Sequence, residues 1–518
     1  MVSNSDNKQF SEVKHFPVNQ SHPLSFTTPQ FPDNPYVQCQ SAFDATCACN
    51  RCQPEEDCQK RHLKHHDTGG GFPVPQMGDY REAAAAGIMR VLREVLKERS
   101  MTGYSVDGTR LWSRLMDMAE IGSTTNGGSH RLSLSQDDED GRELFLAWCK
   151  NRGFAPVFDK IGNLFVRRAG RNPAAPPVVI GSHLDTQPNG GRFDGVLGVL
   201  AGLEVLETLE DLGIATETPV EVAVWTNEEG ARFQPAMMGS GVHCGVHPLA
   251  EALAVTDASG VPVARELKRF GYDSGMEPGN RATGSYLELH IEQGPVLEQE
   301  EKTIGVVTGG QAIRWYTLTL SGEDTHAGPM PMAMRRDPVR HLAAVTELVY
   351  RSGLADPDAR ATIGKIETLP GSINVVPGQV CLSVDLRHPG EATLEHMHGA
   401  LAEGIARLNT AAEGVDIRLE QIWHSPAVSF DPQLIEAVRT GAAARGYPSR
   451  DMVSGAGHDA FHLAKLAPAT MIFVPCRDGI SHNAREYTAP EHVEAGANVL
   501  LDVALQAAGV RALAGGTA

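Results

Sequence analysis

The stretch Gly181–Gly195 reads GSHLDTQPNGGRFDG and directly follows the apolar run Pro177, Val178, Val179 and Ile180. It places His183, Asp185 and Asp194 at the end of a predicted buried strand, in a glycine-rich turn that opens a helix. Imidazole and carboxylate converging at a strand end is how an open α/β sheet builds a metal site. Other predicted strand ends finish in the same kind of residue. EVAVWTNEEGARF sets Glu228 beside Glu229. Neighbouring carboxylates project in different directions, so one can bind a metal while the other stays free as a base; a solvated acidic loop has the same composition. LELHIEQG brings His290, Glu292 and Gln293 after an apolar strand, although any one alone is more often a satisfied buried polar group. MIFVPCRDGISHN ends in a loop with His482, which alone means little. Weight comes from all of these ends together.

Hydrophobic period gives the elements that must position these groups. From Ala155 strand patterns (Asn163–Arg167, Pro177–Ile180, Val220–Trp225, Tyr286–Ile291) alternate with helical ones. Gly195–Leu209 carries Val196, Val199, Leu200, Leu203 and Leu206 on one face, as a helix packed on a sheet does. That alternation predicts an α/β fold. Between Gln311 and Val428 the order becomes strand (Trp315–Leu320), helix (Val339–Ser352), strand (Ala361–Glu367), strand (Val380–Asp385), helix (Thr393–Ala411) and strand (Asp416–Trp423). This βαββαβ order predicts a ferredoxin-like four-stranded sheet with both helices on one face. The α/β rhythm resumes with a helix from Pro432 and a strand at Thr470–Val474. Residues 312–428 therefore read as a domain inserted into a larger one made of 79–311 and 429–518. Three helices lead into that larger domain: from Asp79 (Ile88, Val91, Leu92, Val95, Leu96), after Asp107, and from Asp140.

Residues 1–78 are rich in Pro, Gln, Asn, Asp and His without an apolar period, and read as a disordered extension. It holds Cys39, Cys47, Cys49, Cys52 and Cys58, followed by His62, His65 and His66. These could form a small zinc module, but the spacing lacks the paired layout of zinc folds. Cys149, Cys244, Cys381 and Cys476 are scattered like reduced thiols. A net charge of −19 repels a phosphate backbone, which argues against a nucleic-acid partner. No apolar run approaches the ~18 residues that span a membrane, so no membrane partner is expected. The first thirty residues hold no apolar signal core, and a cytoplasmic enzyme is the expectation.

GSHLDTQPNGGRFDG, WTNEEGARF, LELHIEQG, DTHAGPMPM, GSINVVPG, VDLRHP, GAGHDA and DGISHN occur in this order. Together they resemble the amidase/hydantoinase/carbamoylase family of di-zinc hydrolases, within the aminoacylase-like metallopeptidase clan, over residues 107–510. The resemblance implies a di-zinc aminopeptidase-like catalytic domain, with the inserted domain as a dimerisation lid. It gives His183 and His290 to one metal, Glu229 and His482 to the other, and Asp194 to both. Asp185 would stand behind His183 and hold its ring and tautomer. The Asp194–Gly195 peptide bond would be cis, although such a bond costs ~2.5–4 kcal/mol. Glu228 would be the general base toward a metal-bridging water, whose hydroxide attacks the scissile carbonyl. His326 would donate to the oxyanion from the partner subunit of a homodimer. Gln293 and Asn374 would bind polar atoms of the substrate, and Arg387 its carboxylate. Asn374 and Arg387 are expected on adjacent strands of the lid. Two divalent ions per subunit are implied, zinc foremost, with manganese, cobalt and nickel also compatible.

Peptidases of the clan usually place a carboxylate where this chain has His290, which moves the reaction from a peptide bond to a ureido or amidine nitrogen. TQPNGGRFDG, WTNEEG and VDLRHP look most like the carbamoylase and β-ureidopropionase branch. The substrate is then a small anionic ureido compound, an N-carbamoyl-L-amino acid or N-carbamoyl-β-alanine, released as amino acid, carbon dioxide and ammonia. Allantoate amidohydrolase is the alternative; a metallopeptidase or an inactive metal-binding homologue are others.

Overall fold

The computed structural model describes residues 103–510. The extension, its Cys/His cluster and the helix read from Asp79 lie outside the described residues. The first described helix, α1 (Gly108–Glu120), begins where the Asp107 carboxylate accepts the Arg110 N–H at 2.9 Å. Next, α2 (Gln136–Asn151) begins where Ser135 Oγ accepts the Asp138 N–H at 3.2 Å. Such caps satisfy N–H groups that a helix leaves open. The hydroxyl of Ser135 thus starts α2 a turn ahead of the Asp140 read from the sequence.

Strands follow as β1 (Pro156–Phe158), β2 (Leu164–Arg168) and β3 (Val178–His183); after helix α3 (Val196–Asp211) come β4 (Val220–Trp225), β5 (Ser285–Ile291) and β6 (Ile304–Gly310). The chain then builds β7 (Ala312–Ser321), β8 (Thr325–His326), α4 (Leu342–Leu354), β9 (Arg360–Leu369), β10 (Val375–Val376), β11 (Gln379–His388), α5 (Glu391–Ala411) and β12 (Asp416–Ser425). It closes with β13 (Val428–Ser429), α6 (Pro432–Ala444), β14 (Ser449–Ser454), β15 (Ala469–Val474) and α7 (Pro490–Ala507), short helices being left unlabelled.

A nine-stranded mixed sheet runs β1-β2-β4-β3-β5-β15-β6-β13, with β14 also beside β6. Its centre, β4-β3-β5-β15, is parallel. Every residue of those four strands is buried, as expected where helices cover both faces. β4 lies on one side of β3, and β5 with β15 on the other. The strand order therefore reverses at β3, and the crevice at the carboxyl ends opens there. α3 is buried nearly all round. Its buried Glu204 is met at 2.7 Å by Arg110, and its buried Glu207 at 2.7 Å by Arg114, as buried carboxylates require.

Residues 312–425 hold a separate antiparallel sheet, β12-β7-β11-β9. On it α4 and α5 bury Val345, Val349, Leu394, Met397, Leu401 and Ile405 against Tyr316, Leu318, Val380 and Leu382, a core of its own. β8 and β10 pair only with each other. Four strands of the large sheet, the short β1 and β13 together with β6 and β14, had no sequence expectation. β6 (IGVVTGG) carries three glycines and β14 (SRDMVS) is mostly polar, so neither has a strong strand pattern. No described helix is long and apolar enough to cross a membrane. The four described cysteines are free.

Candidate metal centre

The carboxyl ends of the parallel strands bring the sequence-predicted ligands together. His183 ends β3, His290 is the penultimate residue of β5, and Asp194 stands just before α3. Glu228 and Glu229 follow β4, and His482 lies in the loop after β15. Asp194 faces two ways. Its Oδ1 is 3.2 Å from His290 Nε2 and 3.7 Å from His183 Nε2, and its Oδ2 is 3.3 Å from His482 Nε2. Glu229 Oε2 lies 3.3 Å from His482 Nε2, and Glu228 Oε2 lies 3.4 Å from His183 Nε2. Two groups therefore share Asp194: His183–Asp194–His290 and Asp194–Glu229–His482, the ligand atoms of each within 4.8 Å of one another. Imidazole nitrogens with carboxylate oxygens form a donor set that fits zinc, manganese, cobalt or nickel.

Local geometry explains how this approach is reached. Gly195 has φ 70°, and a Cβ there would overlap the His183 ring. Cis bonds among the described residues are Gln234–Pro235 and Leu369–Pro370, so Asp194–Gly195 is trans, contrary to the expectation from the family. Gly195 makes the turn through its own positive φ, without the cost of a non-proline cis bond. Asp185 also differs from expectation. His183 Nδ1 bonds the backbone carbonyl of Asp185 at 2.8 Å, while the Asp185 carboxylate stands 4.0 Å away. That carboxylate instead accepts the N–H groups of Glu228 and Glu229, each at 3.3 Å. The reason is parallel pairing: β4 runs beside β3 and delivers two backbone donors to the end of β3. A carbonyl thus orients His183, and Asp185 fixes the Glu228–Glu229 turn. His290 Nδ1 likewise bonds the Ile291 carbonyl at 2.9 Å, leaving Nε2 toward Asp194.

The electrostatics mark where positive charge is wanted. Burial pushes His183 down to about 4 against the pull of Asp194, so its ring is neutral with a free nitrogen lone pair. Burial also acts downward on His290, but the hydrogen bond and charge of Asp194 hold it up at about 9. The same carboxylate raises His482 to about 9. Burial, then Asp459, Glu229 and Asp194, keep the Glu228 carboxyl well above its ordinary range. Burial and Asp194 raise Glu229 to about 8. So many carboxylates in a buried cluster call for a compensating cation.

The other predicted residues are placed differently. Gln293 Nε2 donates to Asp194 Oδ2 at 2.8 Å, and its buried Oε1 has no hydrogen-bond partner. Arg387, on β11, binds the Asp385 carboxylate through Nε (3.0 Å) and Nη2 (2.8 Å), and donates from Nη1 to the Gly455 carbonyl at 2.8 Å. Asn374 precedes β10, on the β8–β10 ribbon, and so is not on a strand adjacent to β11. Its carbonyl accepts the Ala327 N–H at 2.9 Å, which places it beside exposed His326. Among the described residues, His326, Asn374 and Arg387 make no hydrogen bond or ion pair with the metal-ligand cluster. Conversely, sequence reasoning missed Gln187, whose Nε2 donates to Glu229 Oε2 at 2.8 Å. It also missed Ser481, Glu486 and the buried His458, whose ring centroid lies 4.6 Å from that of His290. His458 stands in GAGHDA, one of the quoted motifs, which was the available signal.

Residues 179–506 match peptidase family M20/M25/M40. The chain belongs to that family. The match runs from β3 into α7 and includes every residue of both ligand groups. Within the M20/M25/M40 family the chain is 46% identical, over 404 residues, to the N-carbamoyl-L-amino-acid amidohydrolase of Rhizobium meliloti, covering 78% of this chain and 97% of that one. It is 35% identical, over 392 residues, to the allantoate amidohydrolase of Bacillus subtilis, covering 74% and 94%. The crystal structure of a hydantoinase/carbamoylase family amidase from Burkholderia multivorans superposes with a TM-score of 0.74 at 52% identity, covering 78% of this chain and 98% of that one.

Proposed function

We propose that this M20/M25/M40 family member is a metal-dependent amidohydrolase of N-carbamoyl-amino acids, yielding amino acid, carbon dioxide and ammonia. It is a hydrolase of C–N bonds in linear amides. Chief support comes from Asp194, whose two oxygens address two separate ligand groups with Glu228 alongside. His183, Asp194 and His290 would hold one divalent ion, and Asp194, Glu229 and His482 a second, zinc foremost. Ions bound there supply Lewis acidity and lower the pKa of water.

The chain's own groups do the rest. Glu228 takes a proton from the attacking water and returns it to the leaving nitrogen. Its buried, carboxylate-rich surroundings raise its proton affinity, which suits the holding of that proton between the two steps. The unpartnered Gln293 Oε1 accepts an N–H of the ureido group. Arg387, held side-on by Asp385, receives the substrate carboxylate, and Asn374 another polar atom. His326 donates to the oxyanion across a homodimer formed by the inserted sheet. The exposed Trp315, Ile366, Leu369, Ile422 and Trp423 on that sheet support an interface there.

Identity of 46% to a carbamoylase against 35% to an allantoate enzyme favours N-carbamoyl substrates, with allantoate second. The test is ammonia release from N-carbamoyl-β-alanine, N-carbamoyl-L-methionine and allantoate, with and without chelator. Chelator-sensitive turnover of a carbamoyl compound is expected. Turnover of allantoate alone selects the second reading, and turnover of dipeptides alone defeats both.

A further inference from the structure

The loop that carries His482 also carries a carboxylate without a part in the reaction above. Glu486 is 4% exposed, and its Oε1 accepts the backbone N–H groups of Phe193 at 2.9 Å and Asp194 at 3.1 Å. Its Oε2 lies 2.9 Å from Ser481 Oγ, which lies 2.8 Å from Asp194 Oδ2. Gly191 makes room for this, since a Cβ there would overlap the Glu486 carboxyl group. One side chain from the far end of the chain thus grips Asp194 at its backbone and, through Ser481, at its carboxylate. The loop needs such an anchor, because His482 itself sits at φ 53°, in the left-handed region.

We propose that Glu486, acting through Ser481, is a positioning residue that sets Asp194 against His482 and thereby the affinity of the Asp194–Glu229–His482 metal position. This rests on the metal-centre reading given above. The two positions differ in what fixes them. His183 and His290 stand within central strands, His183 paired to Trp225 of β4 and His290 to Phe473 of β15. His482 stands on a loop, and its distance from Asp194 depends on what ties that loop to the turn before α3. Losing the tie therefore weakens the second position more than the first.

The test measures zinc bound per full-length chain at equilibrium in a series of zinc buffers, with circular dichroism on each sample. Wild type is expected to bind two ions. Glu486→Ala is expected to keep the first and bind the second ~10–100-fold more weakly; Ser481→Ala should shift the second in the same direction by less. Glu486→Gln still offers an oxygen to the two N–H groups and an N–H to Ser481, so it should restore the second position toward wild type. A purely structural role would not separate the two positions. Equal weakening of both, or wild-type binding by both alanine variants, overturns the proposal. If Glu486→Ala does not fold, Ser481→Ala decides, and unchanged binding there refutes the tie. Failure of the wild type itself to bind two ions would instead bring down the metal-centre reading, and the positioning role with it.

Discussion

Glu228 and Glu229 are adjacent in sequence, yet the structure gives them different neighbours: Glu228 approaches His183, and Glu229 pairs with His482 and Gln187. That division predicts different outcomes for their amides. Glu228→Gln removes the proton acceptor and keeps the volume, so kcat should fall ~10²–10⁴-fold with bound zinc unchanged, as read from steady-state kinetics and metal analysis. Full activity would remove Glu228 from its role. Asp185 carries a second prediction. Its carboxylate holds the N–H groups of Glu228 and Glu229, while its carbonyl orients His183. Asp185→Ala should therefore lower kcat ~10–100-fold, yet leave zinc affinity at His183 and His290 near wild type in the same titration. A loss confined to the His183 position would instead make the Asp185 carboxylate the group that holds the His183 ring. These residues also show what sequence can carry. Histidine and carboxylate at strand ends announce ligands by their type. Asp185 and Glu486 act on backbone N–H groups, and a peptide group is the same at every position, so nothing in their surroundings announces the partner.

At the level of elements, the parallel centre was legible because β3, β4, β5 and β15 are short, largely apolar runs with polar residues at or just beyond their ends. β6 and β14 were not, since three glycines interrupt the apolar run of the first and polar residues dominate the second. The connection between β3 and α3 makes the coupling of fold and site testable. Gly195 is held at φ 70° with no room for a Cβ beside the His183 ring. Alanine there pays a left-handed penalty of ~1–2 kcal/mol and must also displace the ring. Because α3 is packed nearly all round, the displacement should fall on His183 rather than on the helix. Gly195→Ala should keep a native circular dichroism spectrum, melt lower, and bind zinc more weakly at the His183–Asp194–His290 position. Wild-type zinc binding in that variant would show that the ring has slack the close approach does not suggest.

Across the whole molecule, acid tolerance depends on buried imidazoles that stay neutral in the folded state. His243 joins a short helix to the large sheet, its ring 5.7 Å from that of Phe165 on β2 and 5.2 Å from that of Trp225 on β4. It is 4% exposed and its Nδ1 has no hydrogen-bond partner. Burial pushes its pKa down to about 4, with Arg281 acting in the same direction and Glu221 against it. Once unfolded, the ring returns to about 6.5. Below that value the unfolded chain takes up a proton that the folded protein refuses, so the contribution is fully present above pH ~6.5 and is lost as pH falls toward 4. A depression of this size corresponds to about 3 kcal/mol of stability between pH 7 and 4. Replacing the ring with a group that does not titrate, as in His243→Asn, should cost packing at every pH but flatten the acid limb. Urea unfolding of wild type and variant at pH 7 and at pH 4 gives the difference directly. The gap between them should narrow by about 3 kcal/mol at the lower pH; a constant gap would show that acid enters this fold elsewhere.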